Sequence, residues 1–348
     1  MQNERNYGID LLRLLLMFMV CILHVLGYGG VLKTCDEGTT NYYVFWFIEI
    51  CAYCAVDAFA LISGYTAKDK PINYPKLIDM WFQAVFYSFV MALIFNAFGK
   101  YELVTSEVVR LFMPVTFDVF WYFTAYVGLF IFTPILNRFI FSVSEDSARK
   151  IFVVLILIFS CVGLLADPFK LNYGYSVFWL VILYCLGALA NKINLFKEKK
   201  TITLLVLLFL STFITWYTQK VLGYGLLLEY TSPTIVLNGM LLVVLFSRIK
   251  IKGGIAKLSK YAFGIYLCHV NPAFGRTFLQ KKFGYIAEYG AFEGSMTVLA
   301  IALSVFLTGL VVEMIRHKIT SVIRLHSLSE KIVKLIECCI NKVSILLR

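Results

Sequence analysis

Arg13 and His24 stand within residues 9–25, IDLLRLLLMFMVCILHV, where most other side chains are apolar. A charge at the centre of a bilayer costs at least ~2.5–3.5 kcal/mol on insertion scales, so an ionisable group in such a run marks a functional hypothesis. The two groups offer complementary chemistry. Imidazole titrates near neutrality and can take the proton of a hydroxyl; a guanidinium holds phosphate or carboxylate through charge-assisted hydrogen bonds. As a helix, the eleven steps between them amount to about 1100°, roughly 20° past three full turns, so both share one face at about 16 Å separation. Asp10, one turn before Arg13, is placed to pair with it. The competing reading is structural, with Arg13 snorkelling to the surface and His24 hydrogen-bonding between helices. The residues alone leave the two readings level.

Other polar groups recur in apolar surroundings. VDAFALISGYTAKDK carries Asp57, then Ser63-Gly64-Tyr65 before Lys68 and Lys70; the glycine would let backbone approach a ligand, or the stretch is an ordinary span end followed by lysines. FWYFTAYVGLFIFTPILN groups Trp121, Tyr122 and Tyr126, for which an aromatic belt is the routine explanation. LSKYAFGIYLCHVNPAFG carries Tyr266 and His269, and a structural histidine fits as well as a catalytic one. Cys51 and Cys54 have the spacing of a metal pair but no second pair or nearby His. They are read as packing thiols, and no metal is expected. Glu49, Asp79, Asn96, Asn238 and Glu313 receive no individual role.

The elements that must position these groups are membrane helices. The chain is 60% hydrophobic and 15% charged with a mean hydropathy of +0.80, beyond the composition of a soluble domain. Apolar stretches fall near residues 8–31, 42–66, 77–98, 118–137, 151–166, 176–191, 201–219, 233–247, 260–275 and 293–315, and a helical crossing takes about 20 residues. The alternation of a β-barrel is absent. The expected fold is therefore an all-α polytopic membrane protein of about ten transmembrane helices with both termini cytoplasmic. That topology puts 23 Lys and Arg on the cytoplasmic side and eight on the other, with Arg13 inside the first span, in line with the positive-inside rule. The net charge of +11 thus reflects topology and attraction to anionic membrane lipid rather than a nucleic-acid partner. Arg13 interrupts the first apolar run and no small-residue cleavage site follows, so the run is read as an uncleaved span. Residues 1–316 are assigned to the membrane domain. Residues 317–348 are assigned to a cytoplasmic tail helix, because Leu325, Leu328, Ile332, Leu335, Ile336, Cys339, Val343 and Leu346 recur at three- and four-residue steps among Lys331, Lys334 and Lys342.

Taken together these blocks resemble the integral-membrane acyltransferase family 3, ten-span enzymes that O-acylate bacterial surface polysaccharides. Arg13 with ten residues before His24, then VDAFALISGY, FWYFTAYVGLFIFTPILN and YAFGIYLCH occur in the family's order, and the likeness runs from residue 7 to about 316. The resemblance implies catalytic roles for Arg13 and His24 and a cytoplasmic acyl-CoA, acetyl-CoA above all, as co-substrate. It implies a hydroxyl of a cell-surface or lipid-linked glycan as acceptor, and a multi-pass place in the bacterial cytoplasmic membrane. On the same footing Arg13, Lys68, Tyr65 and Ser63 are expected at the donor, although arginine is commoner than lysine at the position of Lys68. Asp10 and Asp57 are expected to support, and His269, Tyr266 and Trp121 to line the acceptor path. Some members carry a further extracytoplasmic esterase-like domain; without one, direct delivery or hand-over to another polysaccharide-assembly protein is expected. His24 could act as base or form an acyl-histidine. The alternative function is a small-molecule transporter in which His24, Asp57 and His269 relay protons.

Overall fold

The computed structural model describes residues 5–346 apart from 70–72, 165, 224 and 226, with the backbone course alone at 341 and 343–346. Lys70 and the side chains of Val343 and Leu346 therefore lie outside the described residues. Every regular element among those described is helical, as apolar surroundings demand, since a helix satisfies its own backbone hydrogen bonds.

In chain order the main helices are α1 (Tyr7–Thr34), α2 (Thr40–Tyr65), α3 (Tyr74–Ala97), α4 (Trp121–Ser142), α5 (Glu145–Leu164) and α6 (Val177–Lys192). There follow α7 (Thr201–Val221), α8 (Pro233–Ser247), α9 (Ala262–His269), α10 (Ala291–Val322) and α11 (Leu325–Leu346). Against the ten spans expected, seven are long and apolar enough to cross a membrane: α1 to α5, α7 and α10. Helices α6 and α8 are apolar but have 16 and 15 residues. At 1.5 Å per residue they reach about 24 Å of a hydrocarbon layer roughly 30 Å thick. The ninth segment is shorter still: α9 has 8 residues, entered through a tighter 3-10 stretch, Gly254–Tyr261, and left at Asn271-Pro272.

The connections gather at two opposite ends. At the N-terminal end, Asn6 Nδ2 donates to Ser247 O, Asn137 Nδ2 to Lys68 O, Lys192 Nζ to Ile140 O and Arg248 to Phe196 O. At the far end, Asn41 Nδ2 donates to Ala287 O and Trp216 Nε1 to Tyr43 O, and the Thr277 hydroxyl lies 3.3 Å from Lys100 O. Each set joins loops placed by sequence on one and the same side.

Helices α2 and α6 share the tightest contact of the bundle. A Cβ at Gly64 would lie 1.9 Å from Tyr184 O, and one at Gly187 would lie 2.1 Å from Leu61 O. The Gly64 of Ser63-Gly64-Tyr65 thus lies against a neighbouring helix. Small residues at such crossings let helix backbones meet where lipid supplies no hydrophobic driving force.

Helix α10 runs on to Val322, and the chain reverses at Arg324, whose φ is 53°. The return packs α11 on the start of α3. Asp79 Oδ1 accepts from the Ser329 hydroxyl at 2.6 Å, and Asp79 Oδ2 lies 2.6 Å from His326 Nδ1, with Glu330 3.6 Å from the other ring nitrogen. The hydrogen bond to Asp79 raises the His326 pKa above the ordinary imidazole value of 6.5. A raised pKa in the docked state means the contact contributes fully below that ordinary value and fades as pH rises through the raised one. Tail docking is therefore expected to loosen as pH rises from acid to alkaline, read as faster proteolysis at Lys331 and Lys334. His326→Gln should flatten that profile, and a profile unchanged by this substitution would contradict the assignment.

Candidate active site

Helix α1 begins at a side-chain cap, Asn6 Oδ1 accepting from Gly8 N at 2.9 Å and Ile9 N at 3.2 Å. One turn later the Asp10 carboxylate, almost fully buried, accepts from Arg13 Nη1 at 2.7 Å and from Arg5 Nε. A carboxylate between two guanidiniums fixes Arg13 within the protein instead of leaving it to snorkel. Higher on α1 the helix widens by one residue at His24, whose carbonyl accepts from Gly29 N at 2.7 Å. The widening begins at His24 and leaves the regular spacing from Arg13 to His24 intact; such wide turns are frequent at functional sites.

The His24 ring meets α9. His24 Nδ1 lies 3.0 Å from His269 Nε2, and His269 Nδ1 lies 2.7 Å from Ile265 O. A carbonyl only accepts, so His269 carries its proton on Nδ1. A neutral imidazole then accepts at Nε2, so His24 donates from Nδ1. The Nε2 of His24 is left as a lone-pair acceptor. Assignment by the hydrogen-bond network thus gives a two-imidazole relay ending in a base.

His24 and His269 both line a cavity of about 1040 Å³. Arg13, Met17, Val20 and His24 form one stripe of its wall, consistent with the shared face computed from their spacing, and Asp10, Ser63, Trp121, Tyr266 and His269 line it as well. At the Arg13 end it is cationic, with Lys76, Lys260 and Arg316 joining Arg13. Towards the other end lies an aromatic group. The Trp121 and Tyr175 rings are 4.6 Å apart, Trp121 and Tyr230 6.4 Å and stacked, Tyr53 and Tyr230 4.7 Å and stacked. Aromatic faces of this kind suit the apolar faces of a ring-shaped ligand.

Three other residues singled out from sequence do not line the cavity. Tyr65 directs its hydroxyl to Ser247 Oγ at 3.3 Å. Lys68 meets Asn137 through its backbone carbonyl. Asp57 is fully buried and accepts from Trp179 Nε1 at 3.1 Å, a contact that ties α2 to α6.

Glu313 is named from sequence without a role, and its partners Arg316 and Tyr87 are not named. Glu313 on α10 accepts from Arg316 Nε and Nη2 at 2.7 Å each and from the Tyr87 hydroxyl at 2.8 Å, all buried. Gly264 makes room for this carboxyl, since a Cβ there would stand 2.2 Å from Glu313 Oε2. The three-residue spacing of Glu313 and Arg316 on one apolar helix was a usable signal for the pair. Nothing local in the loops of Tyr175 and Tyr230 could have brought those rings to Trp121. Chemically, the arrangement offers a base between a cationic pocket and an aromatic one.

A family model described as an acyltransferase domain, that of acyltransferase family 3, matches residues 6–314. The match takes in every cavity residue named above except Arg316. No curated protein and no solved structure matches the chain.

Proposed function

The chain belongs to acyltransferase family 3, and from that membership we propose that it moves an acyl group, acetyl in the first instance, from acyl-CoA to a hydroxyl of a cell-surface or lipid-linked glycan. The observation that carries this reading is the His269–His24 pair in the wall of a cavity with unlike ends. The donor's phosphates meet Arg13, Lys76 and Arg316 through charge-assisted hydrogen bonds, and the pantetheine arm runs along Met17 and Val20 to bring the thioester to His24. The acceptor enters past Trp121, Tyr175 and Tyr230.

His24 Nε2 takes the proton of the acceptor hydroxyl as its oxygen attacks the thioester carbonyl carbon. The C–O bond forms, the C–S bond breaks, and the thiolate receives the proton from His24, giving an ester and free CoA thiol. Meanwhile the Nδ1–H bond to His269 spreads the charge developing on His24, and the carbonyl of Ile265 anchors the second ring. Arg13 is held in place by Asp10 throughout.

In this reading the chain makes ten crossings, the short α6, α8 and α9 being accommodated by local thinning of the bilayer. Both termini and the cationic end of the cavity are cytoplasmic, because the connections at that end hold the excess of Lys and Arg. The membrane is a bacterial plasma membrane. Helix α11 rests on its anionic inner leaflet through Leu328, Leu335, Ile336 and Ile340, all exposed. Other polysaccharide-assembly proteins are natural partners for the far side.

The test is thiol release by the purified full-length protein with acetyl-CoA. Release that depends on added glycan, with ester appearing on the glycan by mass spectrometry, is expected. Glycan or small-molecule uptake into vesicles with no thiol released would replace this reading with a transporter.

A further inference from the structure

Only eight Lys and Arg lie in connections on the far side from the tail, yet three of them, Lys100, Arg276 and Lys282, line a single pocket of about 550 Å³. A fourth, Arg110, acts electrostatically on Tyr101 in the pocket wall. Topology does not call for this clustering, because the positive-inside bias works against cations on that side.

The pocket is built by cross-contacts between two segments. Tyr101 donates its hydroxyl to Glu107 Oε2 at 2.8 Å, the Arg276 guanidinium sits 5.5 Å from the Tyr101 ring centre, and its Nη2 is 3.7 Å from Glu107 Oε1. The Thr277 hydroxyl, which donates to Ala273 O at 2.7 Å, also lies 3.3 Å from Lys100 O, so the two walls are in contact. Glu107 is thus engaged by Tyr101 and Arg276, and Glu102 is the other acid on the rim. Among the described residues neither Lys100 nor Lys282 forms an ion pair.

The pocket is tied to the turn that carries His24. Its Arg276 and Lys282 belong to the segment that leaves α9 just after His269. That segment is pinned to the end of the His24 turn, Lys281 N donating to Tyr28 O at 3.1 Å and Phe283 N to Gly29 O at 2.9 Å. Tyr28 lines the main cavity, and its ring would stand 3.4 Å from a Cβ at Gly275, the residue before Arg276.

From this juxtaposition we propose that the pocket is a subsite for negative charge on the acceptor. The glycan that receives the acyl group is then an acidic one, bearing a carboxylate or phosphate on a sugar next to the acylated residue. This rests on the acyl-transfer reading and adds the class of acceptor to it. With its hydroxyl at His24 and its charge between Lys100 and Lys282, an acidic glycan is fixed at two points, and two-point attachment selects the register of the acylated sugar. Because the cations are exposed, the contribution is sensitive to salt.

The experiment compares binding of fluorescent octagalacturonate and neutral maltooctaose to the full-length protein in discs of neutral lipid. The acidic oligomer is expected to bind more tightly, to weaken as salt rises, and to lose about tenfold in affinity in the Lys100→Glu, Lys282→Glu double variant, the scale of two exposed ion pairs reversed. Binding of maltooctaose should not change between the two proteins. Equal binding of both oligomers to the wild type, or an unchanged octagalacturonate affinity in the variant, would overturn the proposal. So would displacement of octagalacturonate when phosphatidylglycerol is added to the discs, which would assign the pocket to a lipid headgroup. Binding through Lys100 and Lys282 without thiol release would cost the acyl-transfer reading and leave the acidic-glycan site. Glycan-dependent thiol release that is equally fast with both oligomers would do the reverse.

Discussion

Replacing His24 by alanine is expected to lower glycan-dependent thiol release by about 10²–10⁴-fold, the usual worth of a positioned general base. The loss should fall on kcat rather than on the KM for acetyl-CoA, because in the proposed arrangement the donor is held at Arg13, roughly three turns of helix away. His269→Gln offers a sharper comparison. Its amide can donate to Ile265 O or accept from His24 Nδ1, but it cannot spread charge as a second imidazole does, so a smaller loss and a shifted pH–rate profile are expected. Wild-type turnover in His24→Ala would remove the relay observed between the two rings from the mechanism.

The second large effect concerns stability. Glu313→Ala should destabilise the protein by about 3–5 kcal/mol, because it leaves the buried Arg316 guanidinium uncompensated and strips the Tyr87 hydroxyl of its acceptor. Thermal unfolding in detergent, followed by exposure of buried cysteines such as Cys21 and Cys54, reads it directly. The double variant Glu313→Leu, Arg316→Met should recover most of that stability, since a buried ion pair is commonly replaceable by apolar groups of similar volume. It should not recover donor affinity, because Arg316 lines the cationic end of the cavity. Stability and KM for acetyl-CoA recovering together would confine Arg316 to a structural role. A double variant as unstable as Glu313→Ala would mean that the site tolerates no apolar pair.

What the sequence by itself determined is whatever depends on short-range periodicity and bulk composition. Apolar runs of spanning length had to become helices, because no other open structure satisfies its backbone in lipid. The fixed rotation per residue put Arg13 and His24 on one stripe, and the three-residue step from Asp10 gave Arg13 its partner. The spread of Lys and Arg sorted the connections into two groups, and the loops of each group meet at a common end of the bundle.

The tertiary structure decided everything that depends on which helix faces which. By sequence Gly64 could let backbone approach a ligand or belong to an ordinary span end; the structure brings Tyr184 against it and makes it a helix contact. His269 could have been a lone structural histidine; 245 residues separate it from His24, and only the packing of α9 on α1 turns the two rings into one relay. Lys68 and Tyr65 follow the same motif as Ser63, yet Ser63 alone of the three reaches the cavity, since a helix end aims neighbouring side chains in different directions. Helix length is likewise not written in composition: seven helices are long and apolar enough to cross a membrane, while the apolar runs near α6, α8 and α9 form shorter helices that end at a lysine, a serine and a histidine. Periodicity is a property of one segment at a time. A binding site is a property of segments in contact, and long-range contacts leave no periodic trace in the chain that makes them.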